Sequence, residues 1–287
     1  MRITYEQRVR WANEIASDLR AYLPLTLRQL FYQMVAKLLI PNTESQYKEL
    51  SGALARARKE GVLEWGVMED RTRPLYGEIG YQSQDAYLPH LLDYASYYYQ
   101  RRLMKGQDRY IEVFVEKQAL ITPFTRAAGE YALFVNMGRG YSSVTVLKKM
   151  AERLREAQDE GYSPLVLAFS DLDPSGVDLV DNLSRQFADF GLSSEVVRIA
   201  LTKDQVEEYD LPHDPRALKT TDSRAPAFVA EYGRYAVELD ALDPPTLEGL
   251  VHEAVKARLD LTLFEGEKQR QTEEKEEIGE RVKGFFA

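Results

Sequence analysis

Three acidic residues follow two β-rich apolar runs at the points where those runs end. Glu116 comes directly after IEVFV, and Asp171 and Asp173 follow LVLAFS. Residues i and i+2 of an extended stretch face the same side, so the two aspartates can address one ion. Carboxylate oxygens suit Mg²⁺, which proteins usually hold with one or two carboxylates plus substrate phosphate. Glu116, Asp171 and Asp173 are therefore candidate Mg²⁺ ligands.

The aspartate pair also has a simpler interpretation, which stays open. Aspartates at such positions commonly form the turn and the N-cap ahead of a helix. Pro174 and Gly176 would begin that helix, and its free backbone N–H groups could help to hold an anion. The chain has no cysteine and only three histidines. Any metal must therefore be held mainly by oxygen.

Short apolar strands alternate with helical stretches from residue 110 onward. The predicted strands are YIEVFV, ALFVN, PLVLAFSD, SEVVRIAL and YAVELDAL, and the predicted helices span about 118–129, 142–160, 175–190 and 245–258. This alternation predicts an α/β fold with a mainly parallel sheet covered on both faces. Functional groups of such sheets gather at the carboxyl ends of the strands, which is where the acidic trio lies.

The first third of the chain predicts a helical module. Amphipathic helices are expected at 5–22, 26–39 and 44–60, followed by extended pieces and a turn in VLEWGVMEDRTRPLYG. This order is typical of a winged helix-turn-helix module. The chain has a net charge of −9, but residues 1–105 carry +3 and the remainder −12. Basic charge, which phosphate binding requires, is thus concentrated in the first third.

The composition changes along the chain suggest four segments. They are a winged-helix module at 1–80, a tyrosine-rich helical connector at 81–108, an α/β domain at 109–262 and a charged helical tail at 263–287. The aromatic side chains of the connector have a simple alternative role, which is to pack between domains. No apolar run is long enough for a membrane span, and the start lacks the apolar core of a signal peptide. We therefore expect a cytoplasmic protein without membrane contact.

Several motifs resemble a known family. IEVFVEKQAL, ALFVNMGRGYSS and LVLAFSDLDPSG are similar to the Toprim domain, the Rossmann-like metal-binding fold shared by primases, topoisomerases and some nucleases. VVRIALTKDQVEEYDLP, the DSR at 222–224 and YAVELDALDPPTLEGLV resemble the A subunit of type IIB DNA topoisomerases and the related meiotic double-strand-break transesterase. The resemblance covers about residues 24–258, and the short chain resembles compact, minimal A-subunit-like proteins. It implies a winged-helix module followed by a Toprim domain that binds Mg²⁺.

Members of that family carry a nucleophilic tyrosine four residues after an arginine. TLRQLFYQ supplies Arg28 and Tyr32 at this spacing, which places both on one helical face. Independently, the apolar stripe of this helix centres roughly 130° away from Tyr32, so we expect the phenol to lie off the core. The resemblance implies that Tyr32 attacks a DNA phosphodiester, that Arg28 stabilises the phenolate or the phosphate, and that Glu116 contributes to catalysis through the metal.

The same resemblance implies double-stranded DNA as substrate and a symmetric homodimer, in which each tyrosine works with the metal site of the partner. The candidate phosphate contacts are Lys48, Arg56, Arg58, Arg71, Arg73 and Arg139. For any one of them a solvated charged surface is the competing explanation, and the glycines beside Arg139 commonly form a tight turn. The chain shows no P-loop pattern. ATP-driven strand passage would therefore need a separate ATPase subunit.

Three functions fit these observations. The first is a topoisomerase-like transesterase that makes double-strand breaks through a 5′-phosphotyrosyl intermediate. The second is a metal-dependent nuclease that uses water and the same acidic trio, with Tyr32 in a structural role. The third is a non-catalytic DNA-binding protein that keeps the Toprim fold as a scaffold. All three predict DNA binding, and they differ in the roles of Tyr32 and of the metal.

Overall fold

The computed structural model describes residues 3–69, 80–138, 144–213, 218 and 222–286. The described part is a mainly helical α/β structure. Its helices are α1 (Tyr5–Asp18), α2 (Leu27–Ala36), α3 (Glu44–Lys59), α4 (Gln84–Tyr97), α5 (Ile121–Gly129), α6 (Val144–Asp159), α7 (Pro174–Asp189), α8 (Lys203–Glu208), α9 (Ala225–Tyr232), α10 (Pro244–Lys256) and α11 (Leu261–Phe286). Its strands are β1 (Arg109–Val115), β2 (Val135–Met137), β3 (Ser163–Phe169) and β4 (Glu195–Ala200).

The strands form one parallel sheet in the order β2-β1-β3-β4. The two central strands pair over their full length, with Val113 opposite Leu167 and Phe114 opposite Ala168. Most residues of both strands are buried. Such continuous burial is typical of a parallel sheet with helices on both faces. The prediction of an α/β fold with a parallel sheet is confirmed.

Different helices cover the two faces of the sheet. Val113 and Leu167 belong to a buried cluster that includes residues of α5 and α10. Phe114 and Val166 belong to a second cluster, which includes residues of α6 and α7. Neighbouring residues of β1 thus face opposite helical layers, as the alternation of side chains along a strand requires. Because helices cover both faces of the central strands, the groups that follow the ends of these strands are the ones that a ligand can reach.

The prediction of a fifth strand at YAVELDAL is wrong. In this fully described segment, Val237 makes a single antiparallel bridge with Leu172, and Leu239–Ala241 then forms a 3-10 turn. The chain turns because the N–H of Leu239 donates to the carboxylate of Asp171 at 2.7 Å and not to a neighbouring strand. The apolar residues of the segment are buried beside the sheet without extending it.

Helices α1, α2 and α3 form where the N-terminal sequence predicts helices. Each begins after a threonine, Thr4, Thr26 or Thr43, whose hydroxyl accepts the N–H of the residue three positions on. Such caps satisfy N–H groups that the first helical turn leaves without a partner. The buried apolar residues of these helices join the cluster that also contains residues of α5 and α10. The N-terminal helices therefore pack directly onto the α/β part of the chain.

The element after α3 is described only in part. Leu25 and Met68 form a single parallel bridge, whereas residues 70–79, most of the predicted turn and second extended piece, lie outside the described residues. The winged-helix assignment of residues 1–80 therefore remains a prediction.

The tyrosine-rich segment forms α4, and the charged tail forms most of α11. The two helices pack along each other. Just beyond α4, the Tyr99 hydroxyl donates to Glu274, and the Arg101 guanidinium pairs with Glu267 at 2.8 Å. None of the helices that the structure describes combines the length and the apolar content needed to cross a membrane.

Candidate functional site

Glu116 and Asp171 meet at the carboxyl edge of two adjacent strands. Glu116 directly follows β1, and its N–H donates to the carbonyl of Phe169, the last residue of β3, at 3.0 Å. The N–H of Asp171 in turn donates to Glu116 Oε2 at 3.2 Å. The parallel pairing of β1 and β3 thus brings together two residues that are 55 positions apart. This is the convergence that the sequence predicts.

Asp173 lies directly ahead of α7 and caps it. Its Oδ1 accepts the N–H of Gly176 at 2.6 Å and the hydroxyl of Ser175 at 2.8 Å, and Pro174 occupies the first helical position. The simpler interpretation of the motif, a cap at the start of a helix, thus describes the contacts of Asp173. It does not describe Asp171, whose carboxylate is bound by more distant parts of the chain.

A largely buried lysine joins the acidic site to a second pair of carboxylates. Lys117 Nζ lies 2.9 Å from Asp171 Oδ1, 2.7 Å from Asp240 Oδ2 and 3.2 Å from Glu238 Oε2. The side chain of Asp240 is fully buried. The sequence motifs do not predict Lys117, Glu238 or Asp240 as site residues. The available signals were the position of Lys117 next to Glu116 and the two carboxylates within YAVELDAL.

The side chain of Arg198, in β4, holds the loop between β3 and α7 by binding backbone carbonyl groups. The guanidinium donates to the carbonyls of Asp171 and Gly176 at 2.6 Å each and to that of Leu201 at 2.8 Å. The hydroxyl of Ser170 also donates to the Gly176 carbonyl, at 2.8 Å. The loop that carries the aspartate pair is therefore fixed by a charged group and by its own side chains. Like Lys117, Glu238 and Asp240, Arg198 is a site residue that the sequence motifs do not predict.

Burial and repulsion between neighbouring carboxylates raise the pKa of two acidic residues of this site, Glu116 and Asp171. Burial raises the pKa of Glu116, and the neighbouring Asp173 carboxylate adds to the rise. Burial raises the pKa of Asp171 to about 7, although Lys117 opposes the change. Burial also disfavours the charge of Lys117, but the carboxylates around it outweigh that penalty and raise its pKa well above the ordinary value. The site has more negative charge than its lysine neutralises.

This surplus of negative charge bears on whether the trio fits Mg²⁺. Among the described residues, no three Asp, Glu or His side chains are arranged as a ready-made metal cluster. Lys117 contacts Oδ1 of Asp171, and the cap of α7 engages Oδ1 of Asp173. The carboxylates of Glu116 and Asp173 are close enough to repel each other, and such a pair of oxygen ligands suits the preference of Mg²⁺. These two residues could hold the ion, whereas Oδ1 of Asp171 is bound by Lys117 and by the N–H of Leu239.

Replacing Asp171 with asparagine should stabilise the metal-free protein more strongly as the pH rises. The pKa of Asp171 is about 7 in the folded chain, against an ordinary value of 3.8. The proton on Asp171 stabilises the folded chain relative to the unfolded one. This stabilisation is complete below pH 3.8, the ordinary pKa of an aspartate, and is lost as the pH rises through about 7. The asparagine variant stays neutral throughout. Its melting temperature minus that of the wild type, measured with a chelator, should grow between about pH 4 and pH 8.

The control for this comparison is Asp18→Asn, which removes an exposed carboxylate that pairs with Lys37. If the melting temperature of Asp171→Asn minus that of the wild type stays constant or shrinks as the pH rises, the pKa of Asp171 is not raised in the folded protein.

Tyr32 lies inside the protein, so the expectation that its phenol lies off the core is wrong. The residue is 1% exposed, and its ring meets that of Phe31 edge-on at 5.4 Å. That expectation holds only for a helix with a single buried face. In the structure α2 packs against α1 and α3 and also against the turn Leu239–Ala241. A helix held between two layers buries residues outside its main apolar stripe.

Arg28 connects the helix of Tyr32 to the acidic network of the same chain. Its guanidinium lies 3.3 Å from Glu238 and 3.9 Å from Asp240. These are the carboxylates that also bind Lys117. Burial disfavours the charge of Arg28, but Asp240 and Glu238 outweigh it and raise its pKa, and the nearby Tyr32 contributes in the same direction. Arg28 and Tyr32 are therefore neighbours, as their spacing predicts.

Two of the basic residues predicted to contact DNA are exposed on α3 and pair with neighbours on that helix or just beyond it. Lys48 pairs with Glu44 at 2.6 Å, and Arg56 pairs with Glu60 at 2.7 Å. Exposed pairs at this spacing contribute only about 0.3–0.5 kcal/mol. A phosphate group can therefore compete for either cation at little cost.

Of the other four predicted DNA contacts, only Arg58 lies among the described residues. The guanidinium of Arg58 stacks over the exposed ring of Trp65 at 4.3 Å. Such stacking leaves the edge of a guanidinium free in principle to donate to phosphate. Arg71, Arg73 and Arg139 lie outside the described residues.

The strand ends, the loop before α7 and the turn Leu239–Ala241 together build one charged site at the carboxyl edge of the sheet. Its groups are carboxylates at different degrees of burial, one lysine and two arginines. Any functional conclusion must follow from these groups and from the motifs of the chain. Comparisons of the chain with models of known protein families, with curated proteins and with solved structures find no match.

Proposed function

We propose that this protein cleaves double-stranded DNA by Mg²⁺-dependent transesterification, with Tyr32 as the nucleophile. The observation that carries the proposal is the meeting of Glu116 and the Asp171–Asp173 loop at the ends of adjacent parallel strands. The ion-pair network around Lys117 links that edge to Arg28 on the helix of Tyr32. The motif resemblance to Toprim domains and to the A subunit of type IIB topoisomerases supports the same function.

The proposed reaction assigns a role to each group. Mg²⁺ held by Glu116 and Asp173 would supply positive charge beside the scissile phosphate. The Tyr32 oxygen bonds to phosphorus as it loses its proton, and the 3′-oxygen of the broken strand leaves and takes up a proton. The product is a 5′-phosphotyrosyl ester and a free 3′-hydroxyl. Arg28 balances the charge of the attacked phosphate or of the phenolate.

This reaction requires Tyr32 to leave its buried position. The side of α2 that carries Arg28 must separate from the turn Leu239–Ala241, which breaks the contacts of Arg28 with Glu238 and Asp240. Incoming phosphate groups can replace those carboxylates as partners of the guanidinium. The described conformation is then the one that precedes DNA engagement. A double-strand break further requires two copies of the chain, and ATP-driven strand passage a separate ATPase subunit.

A second candidate is a nuclease that uses the same acidic edge with water as the nucleophile. The burial of Tyr32 favours it, because a side chain that is 1% exposed cannot attack DNA without a rearrangement. In this reaction water bonds to phosphorus and the products carry no protein. Binding in both cases depends on phosphate contacts by the basic residues of α3, so affinity should fall steeply with added salt.

The test uses supercoiled plasmid, Mg²⁺ and a denaturing gel run with and without protease digestion. Wild-type protein should yield cleaved DNA that enters the gel fully only after protease treatment. Tyr32→Phe should abolish this protein-linked product, because the ring remains and only the nucleophilic oxygen is lost. Tyr47→Phe is the matched control, since Tyr47 lies beside Phe31 on the neighbouring helix, with ring centroids 5.2 Å apart.

The remaining outcomes separate the two functions. Protein-free breaks that persist in Tyr32→Phe and disappear in Glu116→Gln would identify the nuclease. Loss of the linked product in Tyr47→Phe as well would show that packing around α2, and not the Tyr32 oxygen, accounts for the effect. DNA binding without any cleavage, also with an ATPase partner added, would refute both reactions.

A further inference from the structure

A cavity opens at the amino end of the sheet, opposite the edge that carries the acidic site. An aromatic residue at the start of each of three adjacent strands lines this cavity. These residues are Tyr110 in β1, Phe134 directly before β2 and Tyr162 directly before β3. The buried side chains of Leu103 and Ile111 line it as well. Its volume is about 380 Å³, within the range of about 300–1,000 Å³ that is usual for small-molecule sites.

The ring of Phe134 has one covered face and one open face. The guanidinium of Arg153 lies over the ring, 4.3 Å from its centroid, and covers one side of it. Phe134 is nevertheless 53% exposed, so the other side of the ring is open. A planar aromatic ligand can stack on an open ring of this kind, as nucleobases do on the aromatic side chains of many proteins.

A buried carboxylate holds two of the residues that line the cavity. Glu112 has a fully buried side chain. It accepts the hydroxyl of Tyr110 at 3.1 Å and the guanidinium of Arg153 at 2.8 and 2.7 Å. A buried ion pair is weak evidence for stability, because apolar residues of similar size often replace it without loss. Here the pair fixes the positions of Tyr110 and Arg153, and such support behind the lining residues is typical of a preorganised binding site.

The charged residues around the cavity favour an anionic ligand. Three arginines, Arg101, Arg102 and Arg153, stand against two glutamates, Glu156 and Glu160, so the lining has a net charge of +1 in a chain whose net charge is −9. Arg101 and Arg153 already bind glutamates of low exposure. Arg102 binds Glu160 at 2.8 and 2.9 Å, but its side chain is 79% exposed. Exposed ion pairs contribute little to stability, so a phosphate can replace Glu160 as the partner of Arg102.

We propose that this cavity binds a nucleotide, with the base stacked on Phe134 and the phosphate bound by Arg102. Gln100 and Tyr162 also line the cavity, and their amide and hydroxyl groups can form hydrogen bonds with the hydroxyl groups of a sugar. A nucleotide combines the ring, the hydroxyl groups and the anion that these residues suit. The proposal does not rest on DNA cleavage, because the cavity lies at the edge of the sheet opposite the acidic site.

Isothermal titration calorimetry of the full chain with AMP and with adenosine tests the proposal. AMP should bind wild-type protein with a dissociation constant on the order of 10 µM, as expected for a ligand of this size. Adenosine should bind about tenfold more weakly, because it lacks the phosphate. Phe134→Ala should weaken AMP binding about tenfold or more, since the base loses its stacking partner. Arg102→Ala should lower the affinity for AMP to that for adenosine and leave adenosine binding unchanged.

The matched control is Arg109→Ala. Arg109 lies at the same end of β1 and forms an exposed pair with Glu195, but it does not line the cavity, so its variant should bind AMP as the wild type does. No binding of AMP at millimolar concentration, or equal affinity in wild type, Phe134→Ala and Arg102→Ala, overturns the proposal. An adenine trinucleotide distinguishes two sources of the ligand. Tighter binding of AMP indicates a free nucleotide, and tighter binding of the trinucleotide, weakened by Phe134→Ala, indicates the end of a nucleic-acid strand.

Discussion

Replacing Gly176 with alanine is expected to destabilise the protein by about 2–3 kcal/mol, the upper part of the usual range for overpacking. A Cβ atom at this position would lie 2.2 Å from the carbonyl oxygen of Asp171 and about 3 Å from its carbonyl carbon and its nitrogen. The atoms that it would meet are backbone, so no flexible side chain can move aside. The Arg198 guanidinium holds the carbonyl groups of Asp171 and Gly176 in place.

The matched control is Gly249→Ala in the interior of α10, where a Cβ atom would meet nothing within 4 Å. That substitution should stabilise the protein by about 0.5–1 kcal/mol, since alanine favours helix more than glycine does. Urea unfolding of both variants measures the difference. A Gly176→Ala variant as stable as the wild type would show that the loop before α7 can shift at little cost. It would then not be a rigid support for Asp171 and Asp173.

Removing the guanidinium of Arg153 is expected to cost about 3–5 kcal/mol of folding free energy. Glu112 lies in the middle of β1 with a fully buried side chain, and Arg153 of α6 binds both of its oxygens at 2.8 and 2.7 Å. Asn136 donates to the same carboxylate at 2.7 Å. In Arg153→Met the apolar length of the side chain remains, but the carboxylate keeps its burial and loses its counter-ion.

The double variant Glu112→Leu with Arg153→Met separates the cost of a lone buried charge from the value of the pair. Replacing a whole buried pair with apolar residues of similar size is often neutral or stabilising. The double variant should therefore recover most of the stability that Arg153→Met loses, as judged by urea unfolding. A double variant as unstable as the single one would mean that packing around α6, not an unpaired charge, accounts for the loss.

The sheet and the meeting of Glu116 with Asp171 could be predicted from the sequence. Apolar runs that alternate with helices leave few arrangements other than a parallel sheet between helical layers. The ends of paired parallel strands share one edge, so a glutamate after one strand and an aspartate after a strand that neighbours it in the sheet approach each other. The starts of α1 and α2 could be predicted for a similar reason, because threonine caps are local features.

The fifth strand and the position of Tyr32 could not be predicted, because both depend on contacts between distant segments. YAVELDAL has the alternating pattern of a strand, yet Asp171 binds the N–H of Leu239 and the chain turns. The helical pattern around Tyr32 gives the direction of one apolar stripe only. It contains no information about the turn that packs against the other side of α2.

The sequence by itself determined the parallel α/β core and the place where the acidic residues gather, because both follow from the periodicity of short segments. Only the tertiary structure decided the environment of those acids. Lys117 is 121 residues from Glu238 and 123 residues from Asp240 along the chain, and folding joins the three into one network. Burial, which no local pattern specifies, then raises the pKa of Asp171 and encloses Tyr32.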